Sequence, residues 1–71
     1  MFPQRLKELR IEKGDTQKVI ASYLGITFFA YQKYEYGSRE PSFDMLINLC
    51  KYFDVSADYL LGLSDIKERR L

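Results

Sequence analysis

The feature that most restricts the fold of this chain is its punctuation. Gly14, Gly25, Gly37 and Gly62 each close a run rich in apolar or aromatic residues, and Thr16, Thr27 and Ser42 stand shortly after three of these stops. Glycine readily ends a helix, and a Ser or Thr hydroxyl starts one by accepting a bond from a free N–H of the first turn. The intervals leave room only for short helices joined by tight turns. No run between the stops alternates convincingly as a half-buried strand would.

Each interval then has a reading. The first helix begins at Pro3, a residue suited to the first turn, and stacks Phe2, Leu6 and Leu9 on one face before Gly14. Asp15 or Thr16 caps a second helix from Gln17 to about Leu24, with Ile20, Ala21 and Leu24 inward; Gly25 suits the left-handed turn that follows. Thr27 caps a third helix, Phe28 to Tyr36. After a turn over Ser38–Pro41, Ser42 caps a fourth helix whose expected inward stripe is Phe43, Leu46, Leu49, Cys50 and Phe53. Val55 plugs the next connection, and Ser56 caps a last helix from about Ala57 to Leu61. The expected architecture is all-α: five short helices over residues 2–62, with a short C-terminal tail over 63–71 that frays as a helix or is disordered.

Composition narrows the function classes. A chain of 71 residues, 46% hydrophobic and 30% charged, suits one small domain. One cysteine and no histidine argue against a disulfide or a structural zinc site, and no Gly-rich phosphate loop or catalytic constellation is present, so neither an enzyme nor a cofactor is expected. Cys50 reads as a small core hydrophobe. The N-terminus lacks the apolar run of a signal peptide and no segment is apolar enough to span a membrane, so the expected location is cytoplasmic. A net charge of +1 does not by itself announce a nucleic-acid binder.

The segments RLKELRIEKG, TQKVIASYLGIT, YEYGSREPS and LINLCKYFDVSADYLLG, in that order, resemble the phage-repressor-like, Cro/XRE-type helix-turn-helix domains. The resemblance covers about Phe2 to Gly62 and implies a lambda-repressor-like fold. It also implies binding to double-stranded DNA, with the second helix across the backbone and the third in the major groove. Position by position, it places Phe28, Phe29, Gln32 and Lys33 at the bases. Gln17, Tyr36, Ser38 and Arg39 fall at phosphates, with Gln17 also bracing the third helix. Arg10 and Glu35 form a mostly buried pair linking the first and third helices. The expected function is a small transcriptional repressor acting as a weak homodimer on a palindromic operator. Any dimer contact is expected from the helical domain itself, with Leu60, Leu61, Leu63 and Ile66 as candidates.

The stretch ITFFAYQKYEYG carries more aromatic residues than one face can bury. The family register puts Tyr31 and Tyr34 in the core. Phe28 and Phe29 depart from the polar residues usual at those positions, and three readings stay open. They pack on thymine methyls; or they form a patch that binds a protein, as in an interaction module or an antitoxin-like partner with weak DNA binding; or Phe28 folds back against the second helix near Val19 and Tyr23. Cations are sparse: Lys18, Lys33 and Arg39 are the only ones between Thr16 and Pro41, and Glu40 offsets part of their charge. Lys67, Arg69 and Arg70 read as a solvated tail, with nonspecific DNA contact the sharper alternative.

Overall fold

A computed structural model describes residues 1–69, and within them the chain forms five helices: α1 (Phe2–Lys13), α2 (Gln17–Leu24), α3 (Phe28–Tyr36), α4 (Phe43–Phe53) and α5 (Ala57–Leu61). Four of them start as the hydroxyl pattern requires. Thr16, Thr27, Ser42 and Ser56 each accept a bond from the N–H three residues on, in Val19, Ala30, Met45 and Tyr59. Every described glycine ends a helix at positive φ; Asp54 does the same for α4 at φ 55°, the one non-glycine residue to do so among the described residues. No helix among the described residues is long and apolar enough to cross a membrane.

The helices bury one cluster: Leu6 and Leu9 from α1, Ile20 and Ala21 from α2, Tyr31 and Tyr34 from α3, Leu49 and Cys50 from α4, then Val55 and Leu60. In this way α3 packs on both α1 and α2, and α5 closes the other end against α1 and α4. The largest fully buried side chain is an aromatic one, Tyr31, so α3 supplies the bulkiest group at the centre.

Two expectations fail here. Phe43 is 86% exposed rather than inward. It is the first residue of α4, and a helical Cβ leans toward the N-terminus, so its ring points off the end of the layer that Leu49 and Cys50 occupy. The tail is the second. Residues 63–69 form no helix and fold back on the domain. The Ser56 N–H donates to the Lys67 carbonyl at 2.8 Å, and the Ser56 hydroxyl donates to the Ile66 carbonyl at 3.0 Å. Arg5 reaches across from α1 to bond the carbonyls of Tyr59 at 2.5 Å and Ser64 at 2.6 Å, and the carboxylate of Asp65 at 2.7 Å. Leu60 is fully buried in the same knot and therefore has no surface to offer a second copy, whereas Leu63 and Ile66 are exposed. Lys67 pairs with Glu12 and Arg69 with Asp54. Arg70, expected in the tail, lies outside the described residues.

Ser56 thus serves both as a helix cap and as an anchor for the tail. Ser42→Ala should cost about 1 kcal/mol through loss of its cap alone. Ser56→Ala should cost that plus a further ~0.5–1.5 kcal/mol for the tail bond, and should speed tryptic cleavage after Lys67. Urea unfolding and limited proteolysis of the two variants check this; equal cleavage rates would detach the tail from Ser56.

Candidate nucleic-acid interface

The outward presentation of α3 starts from a charge buried beneath it. The Glu35 side chain is 2% exposed and the Arg10 side chain 13%. Arg10 Nε donates to Glu35 Oε2 at 2.6 Å and Nη2 to Oε1 at 3.2 Å, a two-pronged pairing, while Nη1 bonds the Asp15 carbonyl at 3.1 Å. Tyr31, one turn earlier on α3, donates its hydroxyl to Glu35 Oε2 at 2.5 Å. Gln17, the first residue of α2, donates to Glu35 Oε1 at 3.0 Å. Gln32 then donates to Gln17 Oε1 at 3.2 Å. One carboxylate joins α1, α2 and α3, and no buried side-chain polar atom lacks a partner among the described residues.

The electrostatics follow. Burial alone would push the Glu35 carboxyl up, but the hydrogen bonds from Arg10, Tyr31 and Gln17 outweigh it and hold the acid below its usual range. The bond to Glu35 raises Arg10 against the opposing effect of burial. Tyr31 is raised by burial first and by its bond to Glu35 second, so it remains a donor. The sequence carries a signal for this last bond in the i, i+4 spacing of Tyr31 and Glu35, and Glu35 is the partner that the Tyr31 phenol reaches from the core.

Above the network, α3 shows two outer stripes. Phe29, Lys33 and Tyr36 point to solvent, with Phe29 71% and Tyr36 72% exposed. Phe28 and Gln32, one turn apart, turn toward the start of α2. Gln32 bonds Gln17, and Phe28 is half-buried with Lys18 Nζ 5.7 Å from its ring centre. The Phe28 ring meets Phe29 edge-on at 5.5 Å. It does not pair with Tyr23, whose ring lies 4.4 Å from Tyr52 of α4. Tyr52 in turn donates to Asp15 and sits under Lys13. After α3, Ser38 bonds back to the Lys33 carbonyl, and Ser38 and Arg39 are both exposed. The residues expected at phosphates are thus split between the start of α2, with Gln17, and the end of α3 and the turn after it, with Tyr36, Ser38 and Arg39.

Two measurements test the buried pair. Arg10→Ala should cost about 3–5 kcal/mol in urea unfolding, because it strands the Glu35 charge. The pH dependence has a definite sign. A folded-state pKa below the unfolded one gives Glu35 a stabilising contribution that is complete above the usual value near 4.5 and is lost as pH falls through the lower folded value. Stability of the native chain should therefore fall on acidification below about pH 4.5, and Glu35→Gln should fall less steeply over the same range. Parallel profiles would place the acid response elsewhere.

Comparison with known proteins agrees with this geometry. A family model described as helix-turn-helix matches residues 6–60. The chain is 52% identical over 61 residues to YqaE, an uncharacterized HTH-type transcriptional regulator of Bacillus subtilis (strain 168), covering 86% of this chain and 53% of the relative. It is 42% identical to the uncharacterized HTH-type transcriptional regulator YobD of the same organism, covering 92% and 58%. It is 46% identical to the SPbeta prophage-derived regulator YonR, also of Bacillus subtilis, covering 86% and 56%. The chain therefore spans about half the length of the curated relatives it matches. No solved structure matches it at a significant level. With the helix-turn-helix of α2 and α3 in place and the family model running from within α1 into α5, the chain belongs to the phage-repressor-like, Cro/XRE-type helix-turn-helix family.

Proposed function

We propose that the chain reads double-stranded DNA as a transcriptional repressor, with α3 in the major groove, α2 across the backbone, and two copies on a palindromic operator. The observation that carries this reading is the stripe Phe29–Lys33–Tyr36, left exposed on a helix whose opposite face is fixed by Glu35. Phe29 and Tyr36 stand more than two-thirds exposed on the same stripe, and such a shared apolar face fits a surface made to be covered by a partner. In a major groove Phe29 packs on a thymine methyl, Lys33 donates to guanine O6 or N7, and Gln32, held in place by Gln17, faces an adenine. Gln17, Tyr36, Ser38 and Arg39 meet phosphates and set the register.

One copy has few cations to neutralise phosphates, so its affinity is low and depends on pairing. Leu63 and Ile66 are exposed at the end of the domain and provide the contact for a weak two-fold dimer. Two half-sites bound together raise the effective concentration of each. The sparse positive charge beside an exposed Phe29 favours a second reading, in which the same patch docks a protein.

Selection of random duplexes with the purified chain tests the first reading. It should enrich a palindrome with half-sites about 34 Å apart, one turn of duplex. Replacing thymine by uracil at the steps under Phe29 should cost on the order of 0.8 kcal/mol per methyl lost. Phe29→Ala should show that same loss on thymine DNA and little more on uracil DNA. No enrichment at low salt, with capture of a defined protein abolished by Phe29→Ala, would favour the second reading.

A further inference from the structure

We propose that Phe28 reads no base and instead positions Lys18 to hold a backbone phosphate in the cleft between α1, α2 and α3. This deepens the DNA-binding reading above and rests on it. The cleft, about 530 Å³, is lined by Lys7 and Arg10 of α1, Gln17 and Lys18 of α2, and Phe28 and Tyr36 of α3, with Thr16 and Glu35 completing it. Of its charged groups, Arg10 and Glu35 are committed to one another. Lys7 and Lys18 form none of the ion pairs seen among the described residues, so the cleft carries two uncompensated ammonium groups. That charge, beside a glutamine amide and a phenol, suits a phosphodiester oxygen.

The geometry separates Phe28 from its neighbour. Phe29 is 71% exposed, while Phe28 is half-buried and lines the cleft. Its ring lies within cation–π range of Lys18, at 5.7 Å. A lysine side chain is long and mobile, and fixing it in water is costly in entropy. An aromatic face that holds the ammonium over the cleft supplies part of that ordering before DNA arrives. A glutamine or serine at position 28 would offer a hydrogen bond to a base and no such platform. The chain thereby exchanges a base contact at this step for a better-placed backbone contact, which suits a surface otherwise short of cations. Base reading falls to Phe29, Gln32 and Lys33.

The test uses the full chain on a duplex of A·T pairs only, and on the same duplex with uracil throughout, titrated across a salt series. Lys18→Gln should make the salt dependence shallower by about one unit per protomer on both duplexes. Phe28→Ala should weaken binding about two- to fivefold, equally on thymine and uracil. Phe28→Tyr keeps an aromatic face and should bind like the native chain; Phe28→Leu, apolar without one, should behave like Phe28→Ala. Thermal unfolding of each variant confirms that the fold is retained. A Phe28→Ala loss confined to thymine DNA, an unchanged slope for Lys18→Gln, or full activity of Phe28→Leu would each overturn the assignment and leave the docking of α3 intact. A native chain that bound neither duplex at low salt, and enriched no sequence from random duplexes, would bring down the DNA-binding reading and this assignment with it.

Discussion

The outward face of α3 depends on the Glu35 carboxylate. It sits where three helices meet, and removing an ion of that size from water is unfavourable by several kcal/mol unless its oxygens are fully bonded. Arg10, Tyr31 and Gln17 supply those bonds from three different helices. A buried pair of this kind adds little net stability compared with a well-packed apolar pair. Its effect is on geometry: the rotation of α3 about its own axis is fixed, because only one setting brings Glu35 and Tyr31 under Arg10 while Phe29 and Tyr36 remain outside. Gln17 carries the same constraint to α2, and Gln32 returns it to the outer face of α3.

The aromatic content of α3 follows from its position. A domain of this size has few residues with which to fill its centre, and α3 is short and packed on two sides. Tyr31 and Tyr34 fill the space, their rings edge-to-face at 6.4 Å, and the hydroxyl of Tyr31 becomes a structural donor. A phenylalanine at position 31 would fill nearly the same volume and leave a Glu35 oxygen one bond short. Outside, Phe28 and Phe29 are adjacent in sequence but differ in surroundings, because consecutive helical residues point about 100° apart. One ring borders α2 and the other is in solvent.

The helix boundaries were largely legible in the sequence because caps and stops are local chemistry: Thr27 bonds Ala30 whatever the remainder of the chain does. Tyr31, Tyr34 and the Arg10–Glu35 pair were reached only through the family resemblance, since nothing in their spacing sets an arginine on α1 against a glutamate on α3. Phe43 was misread because periodicity assigns a face and does not tell where that face runs out of neighbours. The folded-back tail depends on Arg5, which is 59 residues from Ser64 in the chain, and no local pattern announces such a contact. Gln17 and Gln32 meet for the same reason: their bond exists only once α2 and α3 are docked.

The pairing of phenols with carboxylates also sets an alkaline limit to the fold. Burial and then the bond to Asp15 push the Tyr52 hydroxyl up to about 12, and Tyr31 is raised further by its own burial and by Glu35. Groups whose folded pKa exceeds the unfolded one near 10 stabilise the native state fully below that value and lose the contribution as pH rises through the folded one. In strong base, loss of the Tyr31 proton would set a phenolate directly against the Glu35 carboxylate, with the Arg10 guanidinium to offset only one of the two charges. With six tyrosines and no tryptophan, the chain's long-wavelength near-ultraviolet signal, beyond the absorption of its five phenylalanines, comes from phenols. Its late-titrating tyrosines are therefore optical probes of the joint between α1 and α3 and of the contact between Asp15 and α4.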